Sequence, residues 1–208
     1  MDCRSSSDGE VRKMIYRTIL KLALATACLQ AFGQTHSVPP WPQEPSALLG
    51  IQLGQPLIQS IPVCPQIDTY GLKRYEWVGV DHQCSEPISD FFVIHNTKMF
   101  KGVYVRQVDG KVGSISASFR ASEADQISEA MIDKFGPAHL VKVEDVQNRM
   151  GATFEDHVLT WKGSNVVLTF DSIGSEVDEG LVTISTASYL DKQTKEKAQQ
   201  KDSVKGIL

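Results

Sequence analysis

GVYVRQVDGKVGSISASF, residues 102–119, decides the architecture. Asp109-Gly110 sits between two runs of alternating polarity, and that dipeptide suits a type I′ turn, whose two central residues both need positive φ. The segment is therefore expected to be an antiparallel hairpin. Along its second arm Ile115, Ala117 and Phe119 fall on one face and Ser114, Ser116 and Ser118 on the other, because successive side chains of a strand alternate. One face must be buried and the other wet, and the buried face needs an element laid across it.

The following stretch supplies that element. Ser122 is a candidate N-cap and Asp125 suits the positive end of a helix dipole. Ile127, Ala130, Met131 and Phe135 recur at helical spacing, and Gly136-Pro137 ends the run. A helix over residues 122–135 is expected, its apolar stripe on the hairpin. Further on, residues 139–143 can form a strand, and residues 144–156 read as a long polar loop. Residues 158–161 and 165–170 form a second hairpin around Lys162-Gly163, and residues 181–186 add a strand after the loop DSIGSEVDEG. The order hairpin, helix, meander predicts an α+β domain: an antiparallel sheet of about five to seven strands with one main helix packed on one face.

Toward the N-terminus the signals are shorter. Residues 47–52 suit a strand, and Pro56 opens a short helical stretch that Pro62 and Pro65, on either side of Cys64, bring to a stop. KRYEWVGV, residues 73–80, reads as a strand exposing one face, and residues 91–95 as a more apolar one. Residues 34–46, QTHSVPPWPQEPS, carry four prolines and no apolar period, which predicts an extended leader on the surface. At the other end residues 192–205 are rich in Lys, Gln and Glu, with too few apolar side chains to bury a helix face, so a solvated, frayed tail is expected. The domain itself is placed at residues 47–190, followed by a charged tail over 191–208.

MIYRTILKLALATACLQAFG, residues 14–33, has two basic residues, an apolar run and a small-residue ending. This is the layout of a secretory signal peptide, with cleavage expected between Gly33 and Gln34; the apolar run falls short of the roughly 20 residues a membrane span requires. The thirteen residues before Met14 are polar, so Met14 is expected to be the true start; the competing reading keeps them as a long n-region. A lipid anchor through Cys28 is the alternative fate, although Ala25 stands where lipoprotein signals usually carry Leu. A periplasmic or secreted location is expected, with no transmembrane span in the mature chain. Past Gly33, 175 residues remain, with 16 Lys and Arg against 22 Asp and Glu, a net charge of −6. Such a surface repels phosphate backbones, and nucleic acid is not an expected partner.

Export also settles the cysteines. Cys3 and Cys28 lie in the removed segment, which leaves Cys64 and Cys84 with one intramolecular pairing available in an oxidising compartment. A Cys64–Cys84 disulfide would close a loop of about 20 residues, a constraint worth about 3 kcal/mol. Two reduced cysteines are expected only if the chain stays in the cytosol. Their separation is too wide for a C-x-x-C redox or zinc motif.

Motifs for chemistry are lacking. His36, His82, His95, His139 and His157 show no H-x-x-x-H or H-E-x-x-H spacing. Asp81-His82 and Glu155-Asp156-His157 read as surface or capping groups, and Asp171, Glu176, Asp178 and Glu179 lack the ligand order of a calcium loop. Gly113-Ser114-Ile115-Ser116 is no nucleophile elbow, and neither a phosphate-binding loop nor a dinucleotide fingerprint occurs. No catalytic residue, cofactor or metal site is assigned. Tyr70, Tyr75 and Trp77 gather around the expected disulfide loop, and aromatic side chains offer large contact area at low entropic cost, so they form a candidate binding surface. The competing reading puts Tyr75 and Trp77, two apart on one strand face, in the core.

Met131-Ile132-Asp133-Lys134-Phe135-Gly136-Pro137, the loop from Asn148 through Phe154 and the strand Leu159-Thr160-Trp161 together resemble a pattern found in small exported proteobacterial proteins of unassigned function, over about residues 102–190. The resemblance implies a periplasmic origin, consistent with the absence of an N-x-[ST] sequon. Two function classes follow. One is a non-enzymatic periplasmic binding or interaction protein, such as an envelope accessory, inhibitor or immunity factor, acting on a protein or envelope component. The alternative is a hydrolase or small-ligand enzyme whose site gathers distant residues such as His82, His95 and His157.

Overall fold

The computed structural model describes residues 41–76, 82–148 and 150–205. The signal segment, the Gly33–Gln34 junction, Cys28 and Trp77 lie outside them. The central feature is an eight-stranded antiparallel sheet made from two four-stranded meanders. The first contains β5 (Cys84–Ile88), β6 (Phe91–His95), β7 (Gly102–Val108) and β8 (Lys111–Arg120); the second contains β9 (Leu140–Gln147), β10 (Thr153–Lys162), β11 (Val166–Asp171) and β12 (Glu179–Thr186). They join where β8 pairs with β12, giving the order β5-β6-β7-β8-β12-β11-β10-β9. The fold class is the expected α+β, with more strands than the sequence signals supplied.

The β7–β8 hairpin turns at Asp109 and Gly110, with φ of 51° and 74°. The helix α1 (Ala124–Phe135) follows a single 3-10 turn, Ala121–Glu123, so Ser122 lies inside that turn instead of capping the helix. α1 carries the chain from the middle of the sheet to its far edge. Four strand steps from β8 to β9 cover about 19 Å at roughly 4.8 Å each, and twelve helical residues span about 18 Å, so helix length and crossover distance match.

Ile127, Met131 and Phe135 of α1 are buried in one cluster with Val103, Val105, Ile115, Ala117, Phe119, Leu159, Trp161, Leu168, Phe170, Val182 and Ile184 from one face of the sheet. Phe119 stacks on Phe170, with ring centroids 5.5 Å apart. Its ring also lies across Gly180, where a Cβ would come within 2.2 Å of it. Gly180 is the cross-strand partner of Phe119, and only a residue without a side chain leaves room for the ring.

Four segments depart from expectation. The leader is part of the fold from Trp41 onward: Trp41 is buried, and Glu44 accepts hydrogen bonds from the backbone N–H of Asn165 (2.6 Å) and Val166 (2.9 Å). Residues 47–52 form a tight hairpin of two short strands, β1 (Ala47–Leu48) and β2 (Ile51–Gln52), because Leu49 and Gly50 both take positive φ. The polar stretch 144–156 belongs largely to the long β9–β10 hairpin instead of a loop. The C-terminal tail is a helix, α2 (Ala187–Lys205), anchored by the buried Tyr189, whose ring rests on Gly113. Beyond that anchor it is solvated, as its composition requires.

The other sheet face is polar at its centre. Ser114 and Ser185 share a hydrogen bond of 2.9 Å between their hydroxyls, and Ser116 and Thr183 one of 3.2 Å. Ser114 is buried, which departs from the wet face expected for all three serines. No buried side-chain nitrogen or oxygen among the described residues lacks a partner.

Candidate functional site

Before the large sheet comes a separate small lobe. β3 (Gln66–Thr69) and β4 (Leu72–Tyr75) pair only with each other and form a two-stranded sheet. An isolated two-stranded hairpin is marginal in water, so its base must be held. Cys64 and Cys84 do this through the expected disulfide, with an S–S length of 2.03 Å and Cα atoms 4.8 Å apart. Backbone bonds reinforce it: Cys64 N–H donates to the Ser85 carbonyl at 2.9 Å, Ser85 N–H to Pro62 at 2.8 Å, and Glu76 N–H to Pro65 at 2.7 Å. Val63 makes a parallel bridge with Ser85. The hairpin is thus pinned to the first strand of the main sheet.

At its tip, Tyr70 (φ 56°) and Gly71 (φ 77°) make the turn, and Asp68 Oδ1 accepts the Gly71 N–H at 3.1 Å. Tyr70 is 100% exposed. In the register, Ile67 lies opposite Arg74 and Thr69 opposite Leu72. Directly opposed residues share a face, so Ile67 and Leu72, 39% and 60% exposed, lie on the same side of the hairpin. Tyr75 is half-buried at the base, opposite Gln66. Of the aromatic trio, Tyr70 projects fully, Tyr75 sits at the root and Trp77 falls outside the described residues. β3 escaped the sequence reading because QIDT alternates too briefly; the Tyr-Gly turn between QIDT and LKRY was the available signal.

A second feature lies on the main sheet. A cleft of about 980 Å³ is lined by His82, His95, Lys98, Met99, Phe100 and Tyr104, among others. His95 Nε2 and Glu86 Oε2 are 2.7 Å apart, and Asn96 Nδ2 donates to the His82 carbonyl at 3.0 Å. Two of the three histidines considered for an assembled site therefore share one concavity, with a carboxylate on His95. His157 is elsewhere: it pairs with Glu155 at 2.7 Å on β10, five strands from β6 in the sheet order. The hydroxyls lining the cleft belong to Thr97, which donates to the Phe100 carbonyl at 3.2 Å, and Tyr104. A carboxylate-oriented imidazole can hold and pass a proton, but among the described residues no serine or cysteine lines the cleft for it to activate.

The acidic positions divide. Glu179 and Asp178 engage Lys101, whose amine is held above the ordinary lysine range chiefly by its hydrogen bond with Glu179. Asp171, on β11, has its carboxyl pushed up to about 6, by burial first and then by the charges of Asp156 and Glu144. Asp156 accepts from Ser172 Oγ (3.0 Å) and Ile173 N–H (2.9 Å), so its buried carboxyl has partners. Among the described residues no three His, Cys, Asp or Glu side chains are arranged to hold one metal ion, and no helix is long and apolar enough to cross a membrane. Comparison with protein-family models, curated proteins and solved structures returns no match.

Proposed function

We propose that this chain is an exported, non-enzymatic interaction protein of the bacterial envelope that docks on a partner protein through its disulfide-stapled hairpin. The carrying observation is Tyr70, fully exposed at the tip of that hairpin and flanked on one face by exposed Ile67 and Leu72. A solvent-facing aromatic does nothing for folding, and the turn would form more easily with Asn or Gly, since a bulky side chain at positive φ is strained. Placed on a stapled hairpin, the same residue gives a partner a large apolar anchor with little ordering entropy left to lose. Export accounts for the signal layout and suits the disulfide.

Crosslinking in envelope extract of the host tests this. The wild type is expected to capture one stoichiometric partner, and Tyr70→Ala to lose at least ten-fold in affinity, the effect of an aromatic anchor worth about 2 kcal/mol. Equal capture by both proteins removes the hairpin from the interface. One observation favours a second reading, a small-ligand or hydrolytic site: the meeting of His82 and His95 in one cleft, with Glu86 on His95. Turnover of chromogenic esters that disappears in His95→Gln and survives in Tyr70→Ala would move the function there.

A further inference from the structure

The two edges of the large sheet are built differently. On the β5 edge, Pro87 lies within the strand, Val63 bridges to Ser85, and the disulfide anchors Cys84. Those are the usual protections of an edge. On the β9 edge no strand among the described residues pairs beyond Leu140–Gln147, an eight-residue strand, LVKVEDVQ, with no proline. Its apolar side chains are open on both sheet faces: Leu140 and Val141 are each 60% exposed and Val143 51%. A long edge of this kind is a ready template for another strand.

The charges of β9 point to the strand that fits. A two-fold axis perpendicular to the sheet preserves its faces, so two copies of β9 can meet antiparallel only with a residue centred on itself. Centring on Lys142 opposes two lysines, and centring on Glu144 or Asp145 opposes two carboxylates. Centring on Val143 sets Val143 against Val143, Leu140 against Val146, and Lys142 against Glu144 twice; Val141 against Asp145 is the one mixed pair. Lys142 and Glu144 lie on the same sheet face and already form an ion pair within the strand. Opposite charges directly across a ladder stabilise it, and like charges oppose it.

We propose that β9 is a self-association edge, where a second copy of this chain pairs antiparallel about Val143 and extends the sheet to sixteen strands. The contact is narrow and belongs with the weak interfaces of under about 1,200 Å², so the dimer forms at high protein concentration. It uses the edge opposite the stapled hairpin and leaves that hairpin free.

Sedimentation of the full mature protein between about 10 μM and about 1 mM tests it. The wild type is expected to shift from monomer to dimer across that range. Lys142→Glu and Glu144→Lys, each placing two like-charge pairs in the ladder, are expected to weaken association at least ten-fold. Mixed in equal amounts they should recover a dimer, because every pair is then complementary; the double variant Lys142→Glu/Glu144→Lys should recover it alone. Hydrogen exchange of the alternate β9 amides that point away from β10, protected at high and not at low concentration, reports the same event in the unaltered chain. A wild type that stays monomeric throughout, single variants that dimerise like the wild type, or a mixture that stays monomeric each overturns the proposal.

Discussion

The last carbonyls of a helix have no partner within it, and at the end of α1 the carbonyls of Phe135 and of Gly136, which caps the helix, are met by indoles. Trp41 Nε1 donates to the Phe135 carbonyl at 2.7 Å and Trp161 Nε1 to the Gly136 carbonyl at 2.8 Å. These bonds tie the leader, the helix end and β10 together. Trp161 belongs to a strand, residues 158–161, that the sequence announces; the role of Trp41 was not legible, because its proline-rich surroundings carry no period. Glu44 is similar. Burial raises its pKa, but the backbone N–H groups of Asn165, Val166 and Ser164 outweigh that and hold it below the usual carboxylate range, a pairing across distant sequence that no local pattern announces. Asp171 goes the other way. With a folded pKa of about 6, raised above that of the unfolded chain, its ionised form costs stability above pH 6, and the cost disappears as the pH falls toward 4. Asp171→Asn is therefore expected to stabilise the protein by about 1 kcal/mol at pH 7, once solvent screening is allowed for, and to have no effect near pH 4. Urea unfolding at the two pH values checks this; a gain unchanged at pH 4 would deny that burial, together with the charges of Asp156 and Glu144, penalises the ionised carboxylate.

Among the elements, α1 and the β7–β8 hairpin were the most legible, because each carries its own ending: Asp109-Gly110 for the turn, Gly136-Pro137 for the helix. The β9–β10 hairpin was not. Its sequence from Glu144 to Asp156 is polar because β9 is an edge strand and is the only strand paired with the outer half of β10; Thr153 and Glu155 there stay exposed, and the buried Asp156 is hydrogen-bonded to Ser172 and Ile173, so no apolar alternation is needed. Polarity that reads as a loop here reflects position in the sheet. Of the short strands, β1 and β2 lie within residues 47–52 and β4 overlaps residues 73–80, both legible as strands, whereas the β1–β2 turn and β3 were hidden for another reason: two to four residues are too few to show a period. Burial of the α1 stripe gives the element's test. Phe135 packs edge-on against Trp41, ring centroids 6.3 Å apart, at the helix end where the chain leaves for β9. Phe135→Ala is expected to cost about 3 to 5 kcal/mol in urea unfolding. A loss below about 1 kcal/mol would mean that the helix end is not a buried anchor.

Across the whole molecule, stability is unevenly distributed, and the candidate binding surface lies where it is least. The sheet and α1 share one apolar cluster, to which the segment from Trp41 to Ile61 contributes. The β3–β4 hairpin contributes nothing to it, and Ile67, Tyr70 and Leu72 remain exposed. Its order therefore depends on the turn at Tyr70-Gly71, the backbone bonds at its root and the Cys64–Cys84 link. Replacing both cysteines with alanine removes the loop constraint, worth about 3 kcal/mol in the chain-entropy model. Because the hairpin has no packing to fall back on, that loss should first appear locally: amides of residues 66–75 are expected to exchange nearly as fast as in a free peptide, while those of β8 and β12 stay protected. Partner capture should fall in the same variant even with Tyr70 intact, since the anchor would have to be ordered on binding. Unchanged protection of residues 66–75 would show that the backbone bonds to Pro62, Pro65 and Ser85 hold the hairpin unaided, and the affinity of the disulfide-free protein should then equal that of the wild type.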